Sequence, residues 1–345
     1  MIGFYVHHQG VGHLSRSEAI ARHVVSAGEP VVGLSSRSSP KGWPGAWLRL
    51  ARDDDPAGTR TTDPSAGGAL HWAPIDHAGL RRRMAALAAW AAAEQPTSVV
   101  VDVSVEVAVF LRTMGVPVVL MAQPGQREDP PHQLAYRLAD TLVAPWPAWA
   151  EVLHGGELWR AKTVHVGAIS RFDGRAASPR RGGRHRRVVV LSGAGGTRLR
   201  AEQVEAARAA TPGWTWTVLG SPGPRWEPDP WPLLCGADVV VTHAGQNAVA
   251  DVAAARAPAI VIAQDRPHGE QYATAAALDR GRLAGVRSDW PDPDEWPALL
   301  DRATAHGGAR WSSWSPGDGA QRVSSLLVDG RTARHAGNWS CASPS

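Results

Sequence analysis

Residues 239–271 read Val239-Val-Val-Thr-His243-Ala-Gly245-Gln-Asn247-Ala-Val-Ala-Asp251-Val-Ala-Ala-Ala-Arg-Ala-Pro258-Ala-Ile-Val-Ile-Ala-Gln-Asp-Arg-Pro-His-Gly-Glu270-Gln271. The run from Asp238 to Thr242 is short, apolar and β-branched, as in a strand buried on both faces. His243 to Asn247 is a small polar turn. Ala248 to Ala257 has helical composition, and Pro258 stops it. Ala259 to Ala263 is a second buried strand. The unit is β-α-β, with polar groups gathered at the carboxyl ends of both strands, where open α/β sheets bind ligands.

The same pattern extends in both directions. Ile2–Val6, Pro30–Leu34, Ser98–Asp102, Pro117–Ala122 and Thr141–Ala144 read as strands, separated by helical runs at Ser15–Ala27, Leu80–Glu94 and Val105–Met114. Arg187–Leu191 and Trp214–Leu219 open a second series, with helices at Leu199–Ala210 and Gln271–Arg280. Alternating strands and helices predict parallel, doubly wound sheets. Residues 49–68, rich in Asp, Thr, Pro and Gly, read as a surface loop. The reading divides the chain into a first domain (1–166), a Gly- and Arg-rich linker (167–186), a second domain (187–328) and a frayed tail (329–345). Gly319–Leu327 is the last helix.

Composition narrows the classes. The chain has 345 residues, enough for two domains, and a net charge of only +4. No apolar run is long enough to span a bilayer, and the start lacks a signal-peptide pattern. Two cysteines, Cys235 and Cys341, fit a reducing cytoplasm. Nothing resembles a nucleic-acid-binding or zinc-spacing motif. The basic run Arg180–Arg187 fits a solvated tether or, alternatively, peripheral contact with the inner face of a membrane.

The 239–271 stretch resembles the donor-sugar motif of GT-B glycosyltransferases, especially the MurG-like group with a family 28 type of C-terminal domain. That resemblance implies two Rossmann-like domains facing a cleft, and a bacterial type of enzyme. The donor would be a nucleotide sugar, with a UDP-sugar the expected one, bound by the second domain. The acceptor, a glycan, a lipid-linked group or a small molecule, would lie mainly on the first.

Asn247 and Asp251 stand four apart on one helix face. Asp251 occupies the family's ribose-binding acidic position, where Glu is commoner. His243 matches a phosphate-contacting histidine, Gly245 the motif's glycine, and Glu270 and Gln271 the pair that grips the sugar hydroxyls. Ser192-Gly-Ala-Gly195-Gly196-Thr is a strand-to-helix turn whose amides suit a diphosphate; a plain turn is the alternative. Trp226 falls at the spacing of a base-contacting residue, or is a loop anchor.

The other chemical signal is His7-His-Gln-Gly10-Val-Gly12-His13-Leu-Ser-Arg16. Glycines let this backbone turn sharply near a ligand. The Gly-x-Gly-His-x-x-Arg pattern resembles the first loop of several GT-B groups. In some of these the histidine is a general base, a role suited to an imidazole titrating near neutrality. Asp102, at the end of Val99–Asp102, is the candidate orienting acid, or a cap for the next helix; Glu106 is a weaker substitute. The expected reaction is inverting sugar transfer without a required cofactor or metal, since no Asp-x-Asp motif stands out. The alternatives are a UDP-sugar hydrolase or epimerase on the same fold, and a nucleotide-sugar-binding protein without catalysis.

Overall fold

The computed structural model describes residues 1–8, 12–54, 61–176, 186–192, 199–223 and 227–335. The first series comprises β1 (Ile2–Val6), α1 (Gly12–Ser26), β2 (Val31–Ser35), β3 (Ala46–Arg49), α2 (Ala78–Glu94), β4 (Ser98–Asp102), α3 (Val105–Thr113), β5 (Val118–Met121), α4 (Pro130–Leu138), β6 (Thr141–Ala144) and β7 (Thr163–His165). The second comprises β8 (Arg186–Leu191), α5 (Ala201–Ala210), β9 (Trp214–Leu219), α6 (Trp231–Gly236), β10 (Val239–His243), α7 (Gln246–Ala254), β11 (Ala259–Ile262), α8 (Glu270–Arg280), β12 (Gly285–Arg287), α9 (Trp296–His306) and α10 (Gly319–His335).

Two parallel sheets result. The first has seven strands in the order β3-β2-β1-β4-β5-β6-β7, and the second has five in the order β12-β11-β10-β8-β9. This is the expected doubly wound α/β architecture. Each central strand is an unbroken apolar run with both faces covered: all five residues of β1 and of β4 are buried. The strand order reverses between β1 and β4, and again between β8 and β10. Beyond the carboxyl ends of such neighbouring strands a crevice opens for a ligand. Register sets Val6 opposite Asp102 and Thr242 opposite Leu191.

Boundaries differ from the sequence reading in instructive ways. Helix α7 starts at Gln246, because Gly245 has extended backbone (φ −72°, ψ 137°) and serves as its N-cap. It ends before Pro258, where Arg256 turns left-handed (φ 51°). The tail expected from Asp329 is instead helical as far as His335, through a stretch with two arginines and an alanine, all good helix formers. Helix α10 also returns to the first sheet: Ala320, Val323 and Leu327 pack with Ile2, Phe4, Ile20 and Val24. The expected surface loop 49–68 is partly structural, since β3 pairs with β2 and Leu50 is buried. No described helix is long and apolar enough to cross a membrane.

Candidate functional site

The β1–β4 crevice is built round Asp102, the last residue of β4, which is fully buried. Arg16, one turn into α1 and also buried, donates from Nε to Asp102 Oδ2 (3.1 Å) and from a terminal nitrogen to Oδ1 (2.6 Å). His13 Nδ1 lies 3.0 Å from the same Oδ1. Burial disfavours the Asp102 charge, but Arg16 and His13 beside it hold its carboxyl well below the usual carboxylate range. An ionised carboxylate only accepts hydrogen bonds, so His13 Nδ1 carries a proton, and in the neutral ring Nε2 holds the lone pair. The His13 side chain is 26% exposed, so that lone pair can reach a substrate. Helix α3 is capped by Ser104, whose hydroxyl accepts from Val107 N–H. Asp102 is therefore left for the His13–Arg16 cluster. Val103, directly after it, is left-handed (φ 62°). That is costly for a β-branched residue, and such strain gathers at functional sites.

Arg16 also reaches across to the second domain, donating to Gln246 Oε1 (3.1 Å) in the first turn of α7. A Cβ on Gly12 would collide with the Asn247 side-chain amide, so glycine is what lets the α1 start approach α7. Gln246 Nε2 is buried without a hydrogen-bond partner among the described residues.

In the β8–β10 crevice, His243 ends β10 next to Ser192, which follows β8. Its Nδ1 accepts the Gly245 N–H (2.9 Å), and Gln271 Nε2 approaches it at 3.5 Å. Burial and the nearby Arg266 push the imidazole down to about 4. His243 is therefore neutral at pH 7, with its proton on Nε2. Gln271, buried, accepts the Gln264 N–H (3.0 Å). Ser192, His243, Gln264 and Trp290 line a cavity of about 200 Å³. Glu270 pairs across the domain junction with Arg127 (3.4 Å).

Asp251 is buried on α7, one turn after Asn247. Its carboxylate accepts from Ser170 Oγ (2.7 Å) and Arg171 Nε (3.1 Å). Burial pushes its carboxyl up, against the pull of Arg171 and Ser170. Gly195, Gly196 and Trp226 lie outside the described residues, as do residues 177–185 of the expected linker.

A larger cavity, about 490 Å³, opens beside the His13 cluster in the first domain. Its walls include Tyr5, His7, His8, Asp53, Asp54, His71, Trp72, Glu106, Gln123 and His132. That volume falls within the ordinary range for small-molecule sites. Arg83, buried beneath it, donates to Tyr5 Oη and Ser36 Oγ and pairs with Asp53 (2.8 Å). Burial, with His8 and His13 nearby, pushes His7 down to about 4. Glu106, the substitute acid, instead receives the backbone N–H groups of His71 and Trp72 (2.8 and 2.9 Å).

Sequence reasoning gave no role to Arg16, although it stood in the motif, and passed over Gln246 and Arg83. Nor did it find two groups whose ligand atoms lie close enough to hold a cation: His71, His132 and His268, and His8, Asp53 and Asp54.

The glycosyltransferase family 28 C-terminal domain matches residues 232–287. No curated protein matches the sequence significantly. Among solved structures, the chain is similar to the glycotransferase of kitacinnamycin at 17% identity, covering 96% of this chain and 98% of that one with a TM-score of 0.70. It is similar to MurG of Acinetobacter baumannii at 14% identity (95% and 99% covered, TM-score 0.63). A third is the spinosyn rhamnosyltransferase SpnG complexed with thymidine diphosphate, at 14% identity (97% and 99% covered, TM-score 0.60). The chain thus has the two-sheet α/β fold of GT-B glycosyltransferases, and its residues 232–287 match the glycosyltransferase family 28 C-terminal domain.

Proposed function

We propose that the chain moves a sugar from a pyrimidine nucleoside diphosphate sugar to an acceptor in the first-domain cavity, with inversion. UDP is the nucleotide favoured by the motif resemblance; the thymidine diphosphate held by SpnG makes a TDP-sugar the nearest alternative. The acceptor hydroxyl gives its proton to His13 Nε2 as its oxygen bonds to the anomeric carbon. The bond to the diphosphate breaks at the same time, and its electron pair leaves with the phosphate oxygen. Asp102 keeps the ring in the right tautomer and stabilises the imidazolium that forms. Backbone amides at the start of α7, the Gln246 amide and the His243 Nε2–H are suited to take the charge on the departing diphosphate. Ser192, Gly195 and Gly196 are suited to hold its phosphates, Trp226 the base, Asp251 the ribose, and Glu270 and Gln271 the sugar hydroxyls.

The observation that carries this reading is the His13–Asp102–Arg16 cluster, with His13 partly exposed and Arg16 tied to Gln246 of the donor motif. The test is a thermal-shift screen of nucleotide sugars, because a ligand that binds only the folded state raises Tm. Product analysis then follows, with and without candidate acceptors. A shift with UDP- or TDP-sugars and acceptor-dependent sugar transfer is expected. Free sugar released at the same rate without acceptor would favour the hydrolase alternative. Binding with no turnover under any condition would favour the non-catalytic one.

A further inference from the structure

His71, His132 and His268 are far apart in sequence and come from both sides of the domain junction. His71 lies in the turn whose backbone is pinned to Glu106. His132 is buried in the first turn of α4. His268 precedes α8 and is left-handed (φ 61°), and its carbonyl accepts the Gln126 N–H from the first domain (2.8 Å). One ring nitrogen from each histidine lies within 4.8 Å of the others.

Asp129 organises this group. It occupies the N-cap position of α4 but makes no capping bond. Its carboxylate turns instead to the imidazoles, at 2.8 Å from His71 Nε2 and 2.7 Å from His132 Nδ1. A carboxylate that receives one N–H from each ring leaves the other nitrogen of each ring as a lone-pair donor. A carboxylate behind the imidazoles is the outer shell that metal-bound histidines use to fix tautomer and ring direction.

We propose that His71, His132 and His268 bind a divalent transition metal of the zinc class, and that this ion clasps the two domains together. Three neutral imidazoles suit zinc, nickel or copper and disfavour magnesium or calcium, which take oxygen ligands. Nitrogens round a tetrahedral zinc stand about 3.3 Å apart, so the rings close by at most roughly 1.5 Å from the observed spacing. Arg127, 3.4 Å from His132 Nε2, is the competing cation; Glu270, also 3.4 Å from it, is placed to keep it when the metal enters. The half-exposed His71 leaves a route in from solvent. The ion would fix the turn just before Glu270 and Gln271, and so bias how the domains close. The site does not depend on the sugar-transfer reading.

The experiment titrates the chelator-treated, desalted full chain with zinc against a chromophoric competitor, and records the visible spectrum with cobalt. One tight equivalent is expected, with cobalt bands of a low-coordinate nitrogen site and a zinc-dependent rise in Tm. His71→Ala, His132→Ala and His268→Ala should each weaken zinc by about 100-fold or more, and Asp129→Asn by about 10–100-fold. Metal-free melting curves confirm that each variant folds, and His268→Gln replaces any Ala variant that does not. Wild-type binding no tighter than that of the triple His→Ala variant overturns the site. Zinc affinity unchanged in both His268→Ala and His268→Gln overturns the clasp.

Discussion

At the β1–β4 crevice a buried carboxylate, Asp102, is held ionised by a buried guanidinium, Arg16, and by His13. At the β8–β10 crevice the residue ending the central strand is neutral: His243, whose ring accepts a backbone N–H from its own turn. The two crevices share a topology and differ in charge. A buried ion pair is costly to assemble and is weak evidence for stability. Among the described residues, this one sets a histidine against the buried carboxylate, the arrangement that proton transfer needs. The other offers neutral donors and amides, which can hold an anionic diphosphate without changing protonation.

The contrast can be attacked where its largest energy lies. Arg16→Met leaves Asp102 buried without its main partner. Removing one member of a buried pair costs about 3–5 kcal/mol, so a substantial fall in Tm is expected. A Tm within about 1 °C of wild type would mean that Asp102 is not held as described.

Asp251→Ala comes next. A charged acceptor contributes about 1.5–3 kcal/mol, and calorimetric titration should show UDP affinity reduced by that amount. Unchanged affinity with a lowered Tm would make Asp251 a strut from α7 to Ser170 and Arg171 rather than a ribose ligand. Asn247→Ala should weaken UDP by less, since it removes a neutral group.

The pH response distinguishes buried imidazoles from carboxylates. His7, His132 and His243 all titrate near 4 when folded, against about 6.5 unfolded. Between those values the unfolded chain binds more protons, so stability falls as the pH drops from 6.5 toward 4. Asp173, pushed up to about 6 by burial, acts in the opposite direction over roughly the same window. Three imidazoles outweigh one carboxyl, so Tm should decline across that range. Asp102, with its folded pKa far down, keeps its full contribution above about pH 5 and loses it progressively as the unfolded carboxyl protonates below that. A flat Tm between pH 6.5 and 4.5 would mean that the imidazoles are solvated.

Much of the fold was legible because its central strands are uninterrupted apolar runs with turn residues at their ends. The position of Asp102 at such an end drew attention to it, and its partner His13 followed from the Gly-rich turn. Edge strands β3 and β7 were not legible, being three or four residues long and without alternation. Helix α4 hid behind Pro130-Pro131, which reads as a loop although Pro is at home in a first helical turn. Gln246 carries no pattern: its importance comes from the Arg16 contact across domains, which only the tertiary structure supplies. The histidine cluster was invisible for the same reason, since His71, His132 and His268 have no ligand spacing along the chain.

The most direct measurement takes UDP affinity and initial rate on one preparation of His13→Ala. The residue sits in the charged crevice, and the proposed nucleotide contacts sit in the neutral one. UDP affinity should stay within a few tenths of a kcal/mol of wild type, as for independent sites. Turnover should fall by about 10²–10⁴-fold, the usual loss of a general base. Near-normal turnover, or a loss of UDP binding as large as the loss of rate, would contradict the division of chemistry and binding between the two crevices.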